Sequence, residues 1–465
     1  MNETPKIKFG TDGWRAVVNE DCSLSNIKCI AQAIADYFKK GKIIVGFDTR
    51  NLSPEFASAA AAVLSSNGFS VILSKDYVPT PVLSYKIKAE KAEAGIMITA
   101  SHNPAKYNGL KIKGSFAGPV NEQVTNQIEI LLDKNPVKET EDSKNRIITE
   151  DFSSEYLAGV KKYIKQEFLK ESRFKVVIDG MYGAGGDYLP RALEETPVEI
   201  KMIRNQRDIS FGGIRPEPIA ENLRALTEKV KEEKAALGLA TDGDADRLGI
   251  VDAAGNYINA QLVFSMLLLH LLESRPWRGG LVKSIACSFL LDKIGRKFQL
   301  PIYETAIGFK YAVQYMLDQD ILMAGEESGG YGFKGRPPER DGILAGLLLL
   351  EMMGRRRQSL GEILKYLEKE FGPSFYQRVD VPCSPIKKEE YLKKLRDSLP
   401  KSLGRKKVKN VNSKDGYKFI LEDESWLLMR FSGTEPLLRI YTEAKSLEDV
   451  QQLLLEGKRM AGVEF

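Results

Sequence analysis

KIIVGF at residues 42–47, a helical Ser53 to Asn67, SVIL at 70–73 and AGIMI at 94–98 follow one another as strand, helix, strand and strand. Short apolar runs separated by a helical stretch are the βαβ rhythm of an α/β domain. The rhythm restarts at KVVI (175–178), at ALGL (236–239) and around LVKSIAC (281–287), with helical stretches between. Several α/β units in series are expected, related by topology, since no repeat period is visible in the residues. The tail differs. Phe375 to Val381, Tyr417 to Leu421, Ser425 to Phe431 and Leu437 to Glu443 are strand-like, and Lys387 to Leu399 and Leu447 to Met460 are helical. That order predicts a smaller α+β domain with helices against an antiparallel sheet.

The polar stretch from Lys134 to Asp151 marks the first boundary, with weaker breaks at Asp252 to Gly255 and at Gly372 to Pro373. Four domains are expected, at 1–152, 153–256, 257–372 and 373–465, in keeping with a 465-residue chain too long for one core. With 43% hydrophobic and 28% charged residues the composition is that of a globular protein. A net charge of +5, from 68 Lys and Arg against 63 Asp and Glu, is too balanced for nucleic-acid binding and suits small anionic substrates. The basic runs Arg355 to Arg357 and Arg405 to Lys409 read as solvated helix or loop faces. The start MNETPKIKFGTDGWR has no apolar stretch behind a basic segment, so no signal peptide is expected. The longest apolar runs, Leu262 to Leu272 and Ile343 to Met353, fall short of the roughly 20 residues that cross a bilayer and read as core helices. Four scattered cysteines fit reduced thiols in a cytoplasm, and with only His102 and His270 no zinc site can be assembled. His270, in LLLHLLE, reads as a core residue.

TDGDADR, residues 241–247, carries the strongest chemical signal. Asp242, Asp244 and Asp246 alternate with the small Gly243 and Ala245 after a strand. They can turn their carboxylates toward one point as an oxygen cage for a hard divalent cation such as Mg²⁺. An EF-hand would need Gly where Arg247 stands and Glu where Ala253 stands, so that reading fails.

TASHNP, residues 99–104, places Ser101 just beyond the strand ending at Ile98, with His102 beside it and Lys111 ten positions on. A loop hydroxyl can be a nucleophile or phosphoryl carrier when cations offset the charge it acquires, and Arg15, Lys111 and a magnesium are candidates. The G-x-S-x-G elbow of a serine hydrolase is missing, since Thr99 occupies its first glycine. DGMYGAGG at 179–186 follows a strand, but Tyr188 spoils the dinucleotide fingerprint and there is no Walker lysine.

FGTDGWR at 9–15, GFDTR at 46–50, TASHNP, TDGDADR, GEESGG at 325–330 and RFSGTEP at 430–436 resemble, in order and spacing, the signatures of the α-D-phosphohexomutases. Within that family the bacterial phosphoglucomutase/phosphomannomutase group is the most similar. The resemblance implies a heart-shaped molecule around a central cleft: three topologically similar α/β domains and a fourth, α+β domain like the TATA-binding protein. It implies interconversion of hexose 1-phosphate and hexose 6-phosphate through a phosphoserine, with Mg²⁺ as cofactor and glucose 1,6-bisphosphate as activator and intermediate. Ser101 matches the phosphoserine and a fourth metal ligand beside Asp242, Asp244 and Asp246. Arg15 and Lys111 match cationic residues facing the transferred phosphoryl group and Arg247 the arginine in the metal loop, with His102 a further catalytic candidate beside the serine. Glu326 and Ser328 match the sugar-binding loop, and Arg430, Ser432, Gly433 and Thr434, with Arg439 adding to them, the phosphate-binding loop. Gly330 departs from family branches whose sugar loop ends in histidine. With that histidine absent, TAIGFK at 305–310 offers Lys310 as general base beside Lys111, and glucose is the preferred sugar with mannose accepted. Phosphoglucosamine mutase, or a noncatalytic sugar-phosphate binder, is the alternative. The expected state is a cytoplasmic monomer or homodimer without nucleic-acid or membrane partners.

Overall fold

The computed structural model describes residues 7–140, 146–383, 385–397, 399–432 and 436–462. Four sheets follow one another along the chain. The first contains β1 (Trp14–Val17), β2 (Lys42–Phe47), β3 (Ser70–Ser74), β4 (Ala94–Ile98), β5 (Tyr107–Gly114) and β6 (Ile147–Glu150), in the order β1-β5-β4-β2-β3-β6. The second contains β7 (Lys175–Asp179), β8 (Glu199–Ile203), β9 (Leu237–Thr241), β10 (Leu248–Asp252) and β11 (Tyr257–Ile258), in the order β11-β10-β9-β7-β8. The third contains β12 (Gly280–Ser284), β13 (Ile302–Thr305), β14 (Ile321–Gly325) and β15 (Tyr331–Phe333), in the order β13-β12-β14-β15.

One path is used three times. A central strand (β2, β7, β12) is flanked in parallel by the next strand on one side and the one after on the other. The chain then turns back antiparallel as β5, β10 or β15. The parallel strands are apolar because both faces are covered: all five residues of β4, β9 and β14 are buried. Strand order reverses between the central and third strands, where open α/β sheets bind ligands at carboxyl ends. The three turns that leave beside this crevice hold residues 99–106, 242–247 and 326–330.

The fourth sheet is antiparallel, from β16 (Phe375–Pro382), β17 (Ser402–Leu403), β18 (Lys406–Asn412), β19 (Tyr417–Leu421), β20 (Trp426–Phe431) and β21 (Leu437–Ala444), in the order β16-β21-β20-β19-β18-β17. The basic run at 405–409 is therefore mostly strand: Lys407 and Lys409 alternate outward while Val408 and Val411 pack on the domain core. The polar stretch 134–151 ends in β6, which returns to the first sheet beside β3, and Asp252 to Gly255 is the turn of the β10–β11 hairpin.

A single large apolar cluster runs from Ile44 and Tyr156 through Leu239 and Phe264 to Leu348, so the three α/β domains share one interior. The helices Ala260–Ser274 and Gly342–Arg356 are buried nearly all round and supply its centre. No helix among the described residues is long and apolar enough to cross a membrane. The fourth domain has its own core around Phe419, Leu427, Ile440 and Leu453, and places Trp426, Leu428 and Tyr441 against the shared interior.

Candidate active site

Ser101 sits on the β4–β5 turn with a left-handed backbone, φ 52°, which a residue bearing a Cβ adopts only when its surroundings hold it there. The Thr99 hydroxyl accepts the Ser101 N–H at 2.8 Å and donates to Asp48 Oδ2 at 2.5 Å. Arg50, fully buried, donates to the carbonyls of Ser101 (2.5 Å), Asn103 (2.6 Å), Pro104 (3.0 Å) and Tyr107 (3.0 Å). Its Nε lies 3.2 Å from Asp48 Oδ2. The GFDTR segment is thus the brace of the serine loop. A planar fork with five donors serves four carbonyls where a lysine could not.

The Ser101 hydroxyl donates to Asp242 Oδ2 at 3.0 Å and lies 3.3 Å from His102 Nδ1. Burial, joined by Arg247, Arg15, Lys111 and Arg50, holds the imidazole far below its ordinary pKa, so His102 is neutral. Arg15 reaches the same loop, donating to Asn103 Oδ1 at 2.7 Å. The metal loop backs directly onto the serine loop: a Cβ on Gly243 would stand 2.4 Å from the Ser101 carbonyl oxygen.

Asp242, Asp244 and Asp246 are all buried, with one carboxylate oxygen from each within 4.8 Å of the others. Asp244 Oδ2 accepts from Lys111 Nζ at 2.7 Å and from the Thr80 hydroxyl; Asp246 Oδ2 accepts from Lys111 at 2.9 Å and Arg340 at 2.6 Å. The other oxygen of Asp244 and of Asp246 is buried with no hydrogen-bond partner. Buried oxygens left without donors are costly unless something accepts their lone pairs, and an all-oxygen set of this kind fits a hard divalent cation. Burial and then the neighbouring Asp246 and Asp244 push Asp242 well above the carboxylate range. Lys111 is opposed by burial but held up by Asp12, Asp244 and Asp246, the first at 2.9 Å. Arg247 closes the loop with an ion pair to Glu217 Oε1 at 3.2 Å.

On the third domain's turn, Glu326 is buried, accepts the Gly308 N–H at 2.9 Å, and has its other oxygen 3.3 Å from Arg340. Burial pushes its pKa up to about 7, against the pull of Arg340. Ser328 is half-buried on the same turn. Lys310 is paired with Glu122 Oε1 at 2.8 Å; it lines a cleft of 570 Å³ with Glu122, Glu304, Tyr311 and Lys414, and a small cavity with Thr11 and Asp12. In the fourth domain Arg430 Nε donates to Asp415 Oδ2 at 2.7 Å, and the same oxygen accepts the Ile307 N–H at 2.9 Å. Ser432 is half-buried, and Arg439 pairs across the sheet with Arg430 and lies 3.7 Å from Asp380. Gly433 and Thr434 lie outside the described residues.

Ser101, His102, Arg15, Lys111, the three aspartates and Arg247 therefore form one cluster, joined to Glu326 through Arg340. Lys310 and Arg430 stand apart from it, paired with Glu122 and Asp415. Sequence reasoning missed Asp12, Asp48, Arg50 and Arg340. The first three lie inside quoted motifs, and Arg340 follows GEESGG in the charge-dense PPERD segment.

Comparison with known proteins agrees segment by segment. Residues 6–139, 154–255 and 260–371 match phosphoglucomutase/phosphomannomutase alpha/beta/alpha domains I, II and III, and residues 386–456 match the C-terminal domain. A Methanosphaera stadtmanae protein named "Probable phosphoglucosamine mutase" is 33% identical over 459 residues, covering 97% of each chain. A Thermococcus kodakarensis phosphoglucomutase/phosphomannomutase is 30% identical, covering 97% of this chain and 98% of its own. The crystal structure of a Thermus thermophilus protein superimposes with a TM-score of 0.87 at 32% identity, covering 98% of this chain and 99% of that one. Matched in all four of its domains, this chain belongs to the phosphoglucomutase/phosphomannomutase family of the α-D-phosphohexomutases.

Proposed function

We propose that this protein interconverts hexose 1-phosphate and hexose 6-phosphate through a phosphate carried on Ser101. The observation that carries this reading is the Ser101 hydroxyl 3.0 Å from Asp242, beside two buried carboxylate oxygens with no donor. Asp242, Asp244 and Asp246, with the seryl phosphate, would hold Mg²⁺, whose contribution when bound is to neutralise phosphoryl charge. Arg15 and Lys111 add positive charge beside Ser101. A free sugar hydroxyl attacks phosphorus in line: the sugar O–P bond forms, the Oγ–P bond breaks, and the hydroxyl proton passes by way of a lysine to the freed Ser101 Oγ. Lys111 is tied by three carboxylates, so Lys310, with a single carboxylate partner in Glu122, is the lysine assigned to relay the proton, giving up its own as it takes the hydroxyl's. Glu326 and Ser328 receive sugar O–H donors, since a carboxylate and a hydroxyl oxygen are what such donors require. Arg430, Ser432, Gly433, Thr434 and Arg439 would grip whichever phosphate points away from the serine. The product of the first transfer is a hexose 1,6-bisphosphate, which must reverse end for end before the second.

Gly330 and Lys310 favour glucose phosphate, with mannose phosphate accepted. The names of relatives such as the Methanosphaera protein favour glucosamine phosphate. Turnover of glucose, mannose and glucosamine 1-phosphates, each with a trace of its bisphosphate, decides between them: a higher kcat/KM on glucosamine 1-phosphate overturns the glucose preference. Ser101→Ala is expected to lose at least about a thousandfold in kcat. Intact-mass analysis should find one phosphate on the parent, absent from that variant and discharged by sugar phosphate. A parent that never carries or discharges phosphate would instead be a noncatalytic binder.

A further inference from the structure

Arg340 meets carboxylates from three separate segments of the site, yet neither the metal-ligand motif nor the sugar-loop motif includes it. It leaves the PPERD segment just before the helix Gly342–Arg356 and is 4% exposed. Its Nη2 lies 2.5 Å from Asp12 Oδ2 and 2.6 Å from Asp246 Oδ2, and its Nη1 3.3 Å from Glu326 Oε2, so one guanidinium joins the arm of β1, the metal loop and the sugar loop. Its alkyl stem lies across Gly330. A Cβ on that glycine would stand 2.3 Å from Arg340 Cδ, 2.9 Å from Cγ and 3.4 Å from Cβ. Gly330 is not among the glycines with a left-handed backbone, so its conformation is open to any residue and only space demands glycine.

We propose that Arg340 is a positioning residue that holds Glu326 in its sugar-reading orientation, and that positions 330 and 340 are a matched pair in which the room for a side chain at 330 is given to the arginine stem. The inference rests on the mutase reading and deepens it. An arginine keeps its proton, so this pair orients and charges the sugar loop without moving a proton, unlike a histidine at the end of that loop. A side chain at 330 would push the stem aside and with it the fork that meets Glu326.

The test is a double-mutant cycle on the full-length enzyme, with the hexose 1-phosphate it turns over best. Gly330→Ala is expected to raise KM about tenfold with a smaller change in kcat. Arg340→Met should do the same, and adding Gly330→Ala to it should cost nothing further. The pH profile supplies a readout that a merely structural role would not move. Glu326 faces Arg340, Glu327, Arg247 and the Gly308 N–H, and its pKa of about 7 is held down by Arg340. The limb of kcat/KM near that pH should therefore move upward in Arg340→Met. Additive penalties at 330 and 340, or an unmoved limb, overturn the inference. Should Arg340→Met not fold, an unchanged KM in Gly330→Ala overturns it alone. A parent that turns over no hexose phosphate refutes the mutase reading instead.

Discussion

The serine loop and the three-aspartate loop are locked into one another, whereas Arg430, near the end of β20 in the fourth domain, is held through the carboxylate of Asp415. Ser101 touches Asp242, its carbonyl rests against Gly243, and the side chains of Thr80, Lys111 and Arg340 each reach the aspartate loop from another domain. Arg430 is tied to the third domain through Asp415 and Ile307. The difference suits the mechanism proposed above. Atoms that exchange a phosphoryl group need placement to a few tenths of an ångström, while one anchor must accept either phosphate of a reversible ligand.

The largest expected break is Arg50→Met. It leaves Asp48 buried without its cation and removes the Arg50 donors from four carbonyls, and should cost about 3–5 kcal/mol by urea unfolding. An equal loss from a surface arginine such as Arg357 would contradict the bracing role. Acid should loosen the same block. Glu351, in the shared interior, accepts from Arg275 at 2.6 and 2.8 Å, from Lys165 N at 2.8 Å, and lies 3.0 Å from His270. Burial pushes its carboxyl up, but those hydrogen bonds bring it down from 4.5 to about 2. A depressed carboxylate contributes stability above its unfolded pKa and loses it as pH falls through the folded one. Roughly 3 kcal/mol should therefore disappear between about pH 4.5 and 2, and Glu351→Gln should flatten that limb. Gly243→Ala is expected to separate the two loops, costing about 1–3 kcal/mol with a fall in kcat of about a hundredfold. Full activity would show that their close approach is incidental. Arg430→Ala sits at the small end: an unchanged melting temperature with KM raised about tenfold. A change in melting temperature would make Arg430 structural.

Legibility divides along the same line. The parallel strands were readable because burial on both faces leaves uninterrupted apolar runs, as in KIIVGF and AGIMI. The antiparallel strand β5 was not, because YNGLKIKG buries Lys111 and Lys113, residues that belong inside only when Asp12, Asp244 and Glu339 arrive from elsewhere. Asp48 and Arg50 stood in a recognised segment, but nothing in GFDTR says that its arginine reaches four carbonyls some fifty residues later. Arg340 was hidden for the opposite reason: PPERD matches no motif, and only the fold brings three separate carboxylates to its arginine. The run at 405–409 misled because alternate lysines on an outer strand look like any charged surface segment.

The repeated strand path carries a consequence for how such a molecule can change. The serine turn, the three-aspartate turn and the Glu326 turn all emerge from the same corner of three like sheets, so each is a short segment carried on a scaffold that does not depend on it. Because those turns meet through Asp242, Gly243 and Arg340, a change in one is answered in its neighbours, while the sheets serve as a common mould.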